Sequence, residues 1–405
     1  GLRMAEPSDP SRTFFAAGAP WFFTLFGRDS LIASRLTLPL GPEFALGTLR
    51  TLQARRGRVV DIDRAEAPGK ILHEVRAVAL DLREGTVLPP EYYGTVDATL
   101  LWICLLGEVW RDGADDQLVA GFIDGVVAGL GWLADHADPD GDGFVEYYDH
   151  SGHGLVNQGW KDSCDSVRWA DGRIAQGPIA LAEVQGYAHR AALTGAELLE
   201  RFGRTDEERG RAAGWRAYAA ALAVRFREQF WRSDELGPYP AIALDGAKAA
   251  VSGVASNMGH LLGTRLLNAA EERIVVDRLL HPTMFSGYGV RTMADTNAAY
   301  WPLRYHVGSV WTHDNAVIIE GMLASGFNAE ARVLAQALLR VGEGFGYRLP
   351  ELFSGQSADE VYPPAPYPAS CRPQAWAAAS AITVAKALGA LAAQPGRPYS
   401  PPNPR

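Results

Sequence analysis

Between residues 30 and 391 the chain alternates apolar runs of helical period with long stretches rich in glycine, proline and aspartate. That rhythm bounds what it can fold into. Apolar residues recur at spacings of three and four over Ser30–Leu52, Val96–Arg111, Gln117–His136, Pro178–Phe202 and Thr205–Trp231. The same spacing returns over Val254–Leu262, Ala270–Leu280, Val310–Ser325, Asn328–Val341 and Pro373–Leu391, with a further short helix expected near Pro68–Leu80. Asp97 stands at a helix start, Pro178 suits a first turn and Gly326 follows a helix end. Strand alternation is scarce. The loops Arg56–Gly69, Ala137–Gly177, Gly237–Gly253, His281–Gly308 and Gly342–Arg372 are too long to be idle connections. Short links set neighbouring helices side by side, so the long loops gather at the opposite end. The expected architecture is all-α, an α/α toroid with a pocket at the mouth formed by the long loops. Residues 20–393 read as one domain, residues 1–19 as an N-terminal extension and residues 394–405 as a Pro-rich tail.

One loop carries an unusual set of side chains. "VNQGWKDSCDSVRW", residues 156–169, packs two indoles, two aspartates, a lysine and an arginine into fourteen positions. A core helix does not hold such charge, and a solvated loop does not hold such aromatics. A carboxyl beside an indole loses solvation, gains proton affinity and becomes a candidate general acid. That points to Asp162, next to Trp160, with Asp165 one turn on. Lys161 opposes this if it faces Asp162, because a nearby cation favours the carboxylate.

Other stretches supply partners. In "PWFFTLFGRDSLIASR", Arg28 and Asp29 stand at a helix mouth behind four aromatic residues, and a carboxylate there can take paired sugar hydroxyls or simply cap the helix. In "RLPELFSGQ", Glu351 follows a proline in a loop with Phe353, Tyr362 and Tyr367 nearby, the setting of a general base at a pocket mouth or of a surface glutamate. Asp162 and Glu351 together are the pair a glycosidase needs. His306, Trp311 and His313, with Trp301 and Tyr305, read as a sugar-stacking wall, and Glu183 and Gln185 put a polar pair in an otherwise apolar helix. "DPDGDGFVEYYD" matches the first half of a calcium loop through Asp138, Asp140 and Asp142, but Asp149 stands where a glutamate belongs and no helix pair frames it. It reads as an acidic turn, and no metal or other cofactor is expected.

Charge and cysteine usage narrow the partners. With 38 basic and 47 acidic residues the net charge is −9, which opposes a nucleic acid or an acidic membrane surface. Cys104, Cys164 and Cys371 form no metal or disulfide pattern and read as free thiols in a reducing, cytoplasmic setting. The opening "GLRMAEPSDPSR" lacks the apolar core of a signal peptide and does not read as a natural start, so a preceding segment is expected.

The stretches "LFGRDSLIASR", "QGWKDSCDS", "EVQGY", "YHVGSVWTHDNAV" and "RLPELFSG…YPASCRPQAWAAAS" together resemble the glucosidase portion of glycogen debranching enzymes and their bacterial relatives. The likeness runs from about Pro20 to Leu391, with five motifs in the family's order. It implies a place among the glucoamylase-like glycosidases on six-hairpin α/α toroids (six-fold α/α barrels). It also implies an inverting hydrolase that removes a terminal α-linked glucose from a carbohydrate substrate. By motif position Asp162 would be the general acid and Glu351 the general base, with carboxyls roughly 6.5–9.5 Å apart. Arg28 and Asp29 match the sugar-gripping G-R-D segment, Trp311 and His313 the pocket wall, and Gln374 with Trp376 the closing Q-A-W segment. Trp160, Lys161, Asp165, Glu183, Gln185 and His306 complete the expected substrate-binding set. Cys164 and Thr312 stand where the family pattern leads one to expect an aromatic and a proline. A limit-dextrin branch, a small α-glucoside and a glycosylated metabolite each remain compatible.

Two other readings use the same residues. A sugar epimerase on an α/α barrel would employ His306 and His313 as acid and base. A carbohydrate-binding protein without catalysis would keep the aromatics as platforms and have no need of both Asp162 and Glu351.

Overall fold

The computed structural model describes residues 2–83 and 85–391. The Pro-rich tail, 394–405, lies outside the described residues. Eleven α-helices are present among them: α1 (Gly27–Leu36), α2 (Glu43–Ala54), α3 (Ala98–Arg111), α4 (Asp116–Ala120), α5 (Ile123–Asp135), α6 (Ala182–Phe202), α7 (Asp206–Gln229), α8 (Ala269–Leu280), α9 (Thr312–Ala324), α10 (Asn328–Gly344) and α11 (Ala375–Ala387).

Most follow the apolar periodicity, and the departures have local causes. The run Ser30–Leu52 breaks into α1 and α2 because "LPLGP" intervenes. Leu38–Leu40 tightens into a 3-10 turn and Gly41 takes φ 131°, which a side chain would resist. Gln117–His136 likewise divides into α4 and α5. Val254–Leu262 forms only a 3-10 segment, Ser256–Leu261. The helix expected at Pro68–Leu80 is absent. That stretch runs extended, with Glu74–Val75 pairing antiparallel to Glu91–Tyr92. Pro178 lies outside α6, which starts four residues later.

The all-α expectation needs correction at the N-terminus. Arg3–Glu6 (β1), Asp9–Gly18 (β2) and Phe22–Leu25 (β3) form an antiparallel sheet, with Arg3 opposite Phe15 and Ala16 opposite Leu25. Its period-two alternation is weak because β2 packs against α1, α2 and α11 rather than showing one clean solvent face. The other strands are short antiparallel pairs, such as Val310–Trp311 with Leu352–Phe353.

The helices pack in a closed order. α1 contacts α3, α3 contacts α6, α6 contacts the segment Ser256–Leu261, that segment contacts α9, α9 contacts α11, and α11 returns to α1. Outside this cycle, α2 lies on α1, α5 on α6, α7 on α6, α8 on Ser256–Leu261 and α10 on α9. The main apolar core runs from Leu25 to Ala387, and the inner segments are buried nearly all round, as α3 shows with eleven of fourteen residues buried. No helix among the described residues is long and apolar enough to cross a membrane.

α7 begins with a full capping box. The Thr205 hydroxyl accepts from the Glu208 backbone N–H, and the Glu208 carboxylate accepts from the Thr205 N–H. Replacing Thr205 by alanine should cost about 1 kcal/mol in urea unfolding, with the denaturant slope unchanged.

Candidate active site

The first turns of the inner segments converge. Arg28 and Asp29 belong to the first turn of α1, and Asp97 precedes α3. Glu183 opens α6, Asn257 and His260 sit in the 3-10 segment, His313 and Asp314 open α9, and Gln374 and Trp376 flank the start of α11. Helix N-termini carry partial positive charge, which favours the carboxyls gathered there.

Arg28 is 1% exposed. Its Nε donates to Asp97 Oδ2 at 2.7 Å, and its Nη2 to Thr95 Oγ1 and the Gln158 carbonyl, each at 3.0 Å. Nη1 stands 3.6 Å from Asp162 Oδ2. Asp162 is the more open carboxyl, its side chain 32% exposed. Burial pushes its pKa up to about 6, and the Arg28 charge holds the rise in check.

Glu351 is buried and pinned. Its Oε2 accepts from the Cys371 backbone N–H at 2.8 Å, and its Oε1 faces Tyr305 Oη and Gln374 Nε2, each at 3.4 Å. Burial pushes its pKa up to about 7, the Cys371 N–H opposes the rise, and the Asp162 charge adds to it. Asp29 is raised furthest, to about 8, by burial first, with the charges of Asp162 and Glu351 adding against Arg28. Asp29 thus feels the charges of both other carboxyls, and Glu351 that of Asp162, across a shared space.

Aromatic and imidazole rings wall that space. Trp160 lies parallel to His260 at 5.8 Å and meets Trp311 and His313 edge-on at 5.8 and 5.0 Å. His306 stacks on Trp311 at 4.9 Å, and His313 on Trp376 at 3.5 Å. Burial drives His306 and His313 well below the usual histidine pKa, so both stay neutral. Trp160 Nε1, Trp376 Nε1, Gln374 Oε1, His306 Nε2 and both His313 nitrogens are buried without a hydrogen-bond partner among the described residues. Donors and acceptors of this kind suit a ligand rich in hydroxyls.

Not every expected residue faces the space. Lys161 turns away from Asp162: its Nζ donates to the Thr292 carbonyl, and burial pulls its pKa down to about 8 against the charges of Asp314 and Glu183. Glu183 accepts from Asn257 Nδ2 at 2.8 Å in the floor. Gln185 spends its amide on Val145, both N–H and carbonyl, and on the Leu181 carbonyl, so it fastens a loop. Asp165 is tied to Arg304 at 2.7 Å and Arg168 at 3.2 Å. Conversely, Asp97 and Thr95 belong to the site although no motif marks them as part of it. Asp97 carries the sequence signature of a helix cap but makes no side-chain cap bond.

The acidic turn has a cation of its own. Lys248 Nζ lies 2.6 Å from Asp140, 2.7 Å from Asp142 and 2.6 Å from Glu146. Asp138, close enough to Asp140 and Asp142 to share a metal ion, instead accepts the Gly141, Asp142 and Gly143 backbone N–H groups. Asp149 binds Ser151 and Gly154 and does not return to the turn.

Residues 101–346 match the family described as "Mannosylglycerate hydrolase MGH1-like glycoside hydrolase domain". No curated protein matches the sequence. Among solved structures, an uncharacterized conserved protein from Thermus thermophilus superposes with a TM-score of 0.65 at 16% identity, covering 91% of this chain and 95% of its own. The GH63 mannosylglycerate hydrolase from the same organism, in complex with Tris, gives 0.64 at 14% identity with the same coverage. Neutral trehalase Nth1 from Saccharomyces cerevisiae gives 0.63 at 13%, over 95% of this chain and 76% of that one.

The raised carboxyls predict a pH effect on stability. Asp29 holds its proton to about pH 8 when folded but only to about pH 4 when unfolded. Across that window the native state binds the extra proton, so rising pH erodes stability. A carboxamide in its place cannot titrate. Asp29→Asn should therefore match the native chain near pH 4 and exceed it by roughly a few kcal/mol near pH 8, read from urea midpoints at both pH values.

Proposed function

Because the chain belongs to the mannosylglycerate hydrolase MGH1-like glycoside hydrolase family, we propose that it cleaves a terminal α-linked hexose with inversion, Asp162 donating the proton and Glu351 activating the water. The observation that carries this reading is the convergence of Asp162, Glu351 and Asp29 on one ring-walled space. Asp162, partly exposed, stands where a leaving group would meet solvent. Glu351, 2% exposed and gripped by the Cys371 N–H, is aimed from inside, as a group that orients one water must be. Asp29 accepts sugar hydroxyls, and Trp160, Trp376, Gln374, His306 and His313 supply the remaining polar contacts. The closed packing order of six inner segments supports a six-hairpin α/α toroid as the scaffold.

The aglycone we propose is a short hydroxy acid such as glycerate. The family description and the mannosylglycerate hydrolase neighbour support it. The motif likeness to glycogen debranching enzymes favours an α-1,6-linked glucose instead. Incubation with mannosylglycerate, glucosylglycerate, trehalose, isomaltose and a limit dextrin separates these readings by which substrate releases free sugar. Histidine-based epimerisation has little support, because His306 and His313 are adjacent, neutral and stacked in one wall. Three unbridged cysteines fit a reducing cytoplasm.

Asp162→Asn and Glu351→Gln should each lower turnover by at least about a thousandfold with the fold retained by circular dichroism. Proton NMR of the first-formed sugar should show the β-anomer; an α-anomer would rule out inversion. The dependence of kcat/KM on pH should be a narrow bell. Asp162 is raised to about 6 and Glu351 to about 7, so the working pair, Asp162 protonated and Glu351 ionised, is a minority form that peaks between those values and falls away on both sides. Flat activity from about pH 5 to about pH 9 would remove both residues from these roles.

A further inference from the structure

The Arg28 guanidinium is held back from Asp162 by something other than substrate. Its Nε and Nη2 are bound by Asp97, Thr95 and the Gln158 carbonyl at 2.7 to 3.0 Å, while Nη1 stops 3.6 Å from Asp162. That gap is too long for a hydrogen bond but short enough for charge to act across it. A guanidinium a fraction of an ångström nearer would form a charge-assisted bond and keep Asp162 ionised. An ionised Asp162 has no proton to donate.

Asp97 is built for this hold. It is 1% exposed, directs Oδ2 at Arg28 Nε and takes the Thr95 hydroxyl on Oδ1 at 2.8 Å. None of its capacity goes to capping α3. We infer that Asp97 is a positioning residue for the hydrolysis, anchoring Arg28 at a distance that leaves Asp162 able to carry its proton; this rests on the reading of Asp162 as the acid. The groups that act on Asp162 or feel its charge are Arg28, Asp29, Asp97, Glu351, Glu74 and Tyr305. Arg28 is the cation among them, and Asp97 is the anion bonded to that cation. Its negative charge also raises the proton affinity of Asp162 directly.

Two substitutions test the assignment. Asp97→Asn removes the opposing charge and frees Arg28 to approach. Asp97→Glu keeps the charge, so it folds more readily, but its longer arm moves the guanidinium toward Asp162. Because Asp162 titrates below Glu351, its lost proton affinity shows on the acid limb: both should move that limb of kcat/KM to lower pH by about half a unit or more and lower the peak by about two- to threefold, measured on an O-linked α-glycoside. Turnover of the α-glycosyl fluoride of the same sugar, whose leaving group needs little protonation, should stay within about twofold. A general loss of structure would depress both substrates and leave the limb in place. If either variant folds and its acid limb is unmoved, the inference is overturned. Asp162→Asn is the control for its premise. Should that variant retain the alkaline limb, the acid assignment fails and Asp97 loses its role with it. Should it lose the alkaline limb while the Asp97 variants leave the acid limb unmoved, the fault lies with Asp97 alone.

Discussion

A guanidinium taken out of water must be met on every side, and Arg28 is met by two separate pieces of chain. Asp97 and Thr95 come from the start of α3, the Gln158 carbonyl from the loop before Trp160, and Arg28 itself from α1. Breaking such a buried pair costs roughly 3–5 kcal/mol, comparable to much of a protein's net stability. The relative placement of α1, α3 and the Asp162 loop is therefore not free to drift. Where Asp162 stands follows from where Arg28 must be satisfied.

The same volume holds charge that folding would rather avoid. Asp29, Asp162 and Glu351 are partly or wholly shielded from water and repel one another, and each answers by binding its proton more tightly. Helix N-termini and Arg28 compensate only in part. A carboxyl whose protonation is balanced near neutrality can give or take a proton with little penalty, so the instability and the chemistry share one cause.

The site was legible in the sequence where chemistry needs rare combinations. "GWKD", "LPEL" and "FGRD" each set a carboxyl within three residues of an aromatic or a proline, and Asp29 feels the charges of the other two. Helices were legible where apolar spacing ran without interruption, as in α6 and α7. Failures came where one residue type serves two physics. Asp97 looks like a cap because caps and buried ion-pair partners are both aspartates before apolar runs. Gln185 looks like a ligand because a glutamine inside a helix must satisfy its amide somewhere, and sequence cannot say that the somewhere is Val145. The apolar residues of Pro68–Leu80 follow helical spacing, yet their backbone is committed elsewhere: the His73 carbonyl receives the Gly27 N–H, and the His73 N–H donates to Tyr92. Long-range pairings of that kind leave no periodic trace. Lys161 sits beside Asp162 in sequence, but the bend there turns its Nζ to the Thr292 carbonyl.

β2 and the segment before α11 are joined edge to edge. Ala19 N–H donates to the Pro373 carbonyl, Arg372 N–H to the Ala19 carbonyl, and a Cβ on Gly18 would fall 1.6 Å from the amide oxygen of Gln374, whose Nε2 faces Glu351. The strand Asp9–Gly18 thus completes the surroundings of a glutamate that follows more than three hundred residues later. α1 through α9 can therefore form while Glu351 still lacks its neighbours. The setting of that carboxyl is finished only when two segments remote in sequence are sewn together.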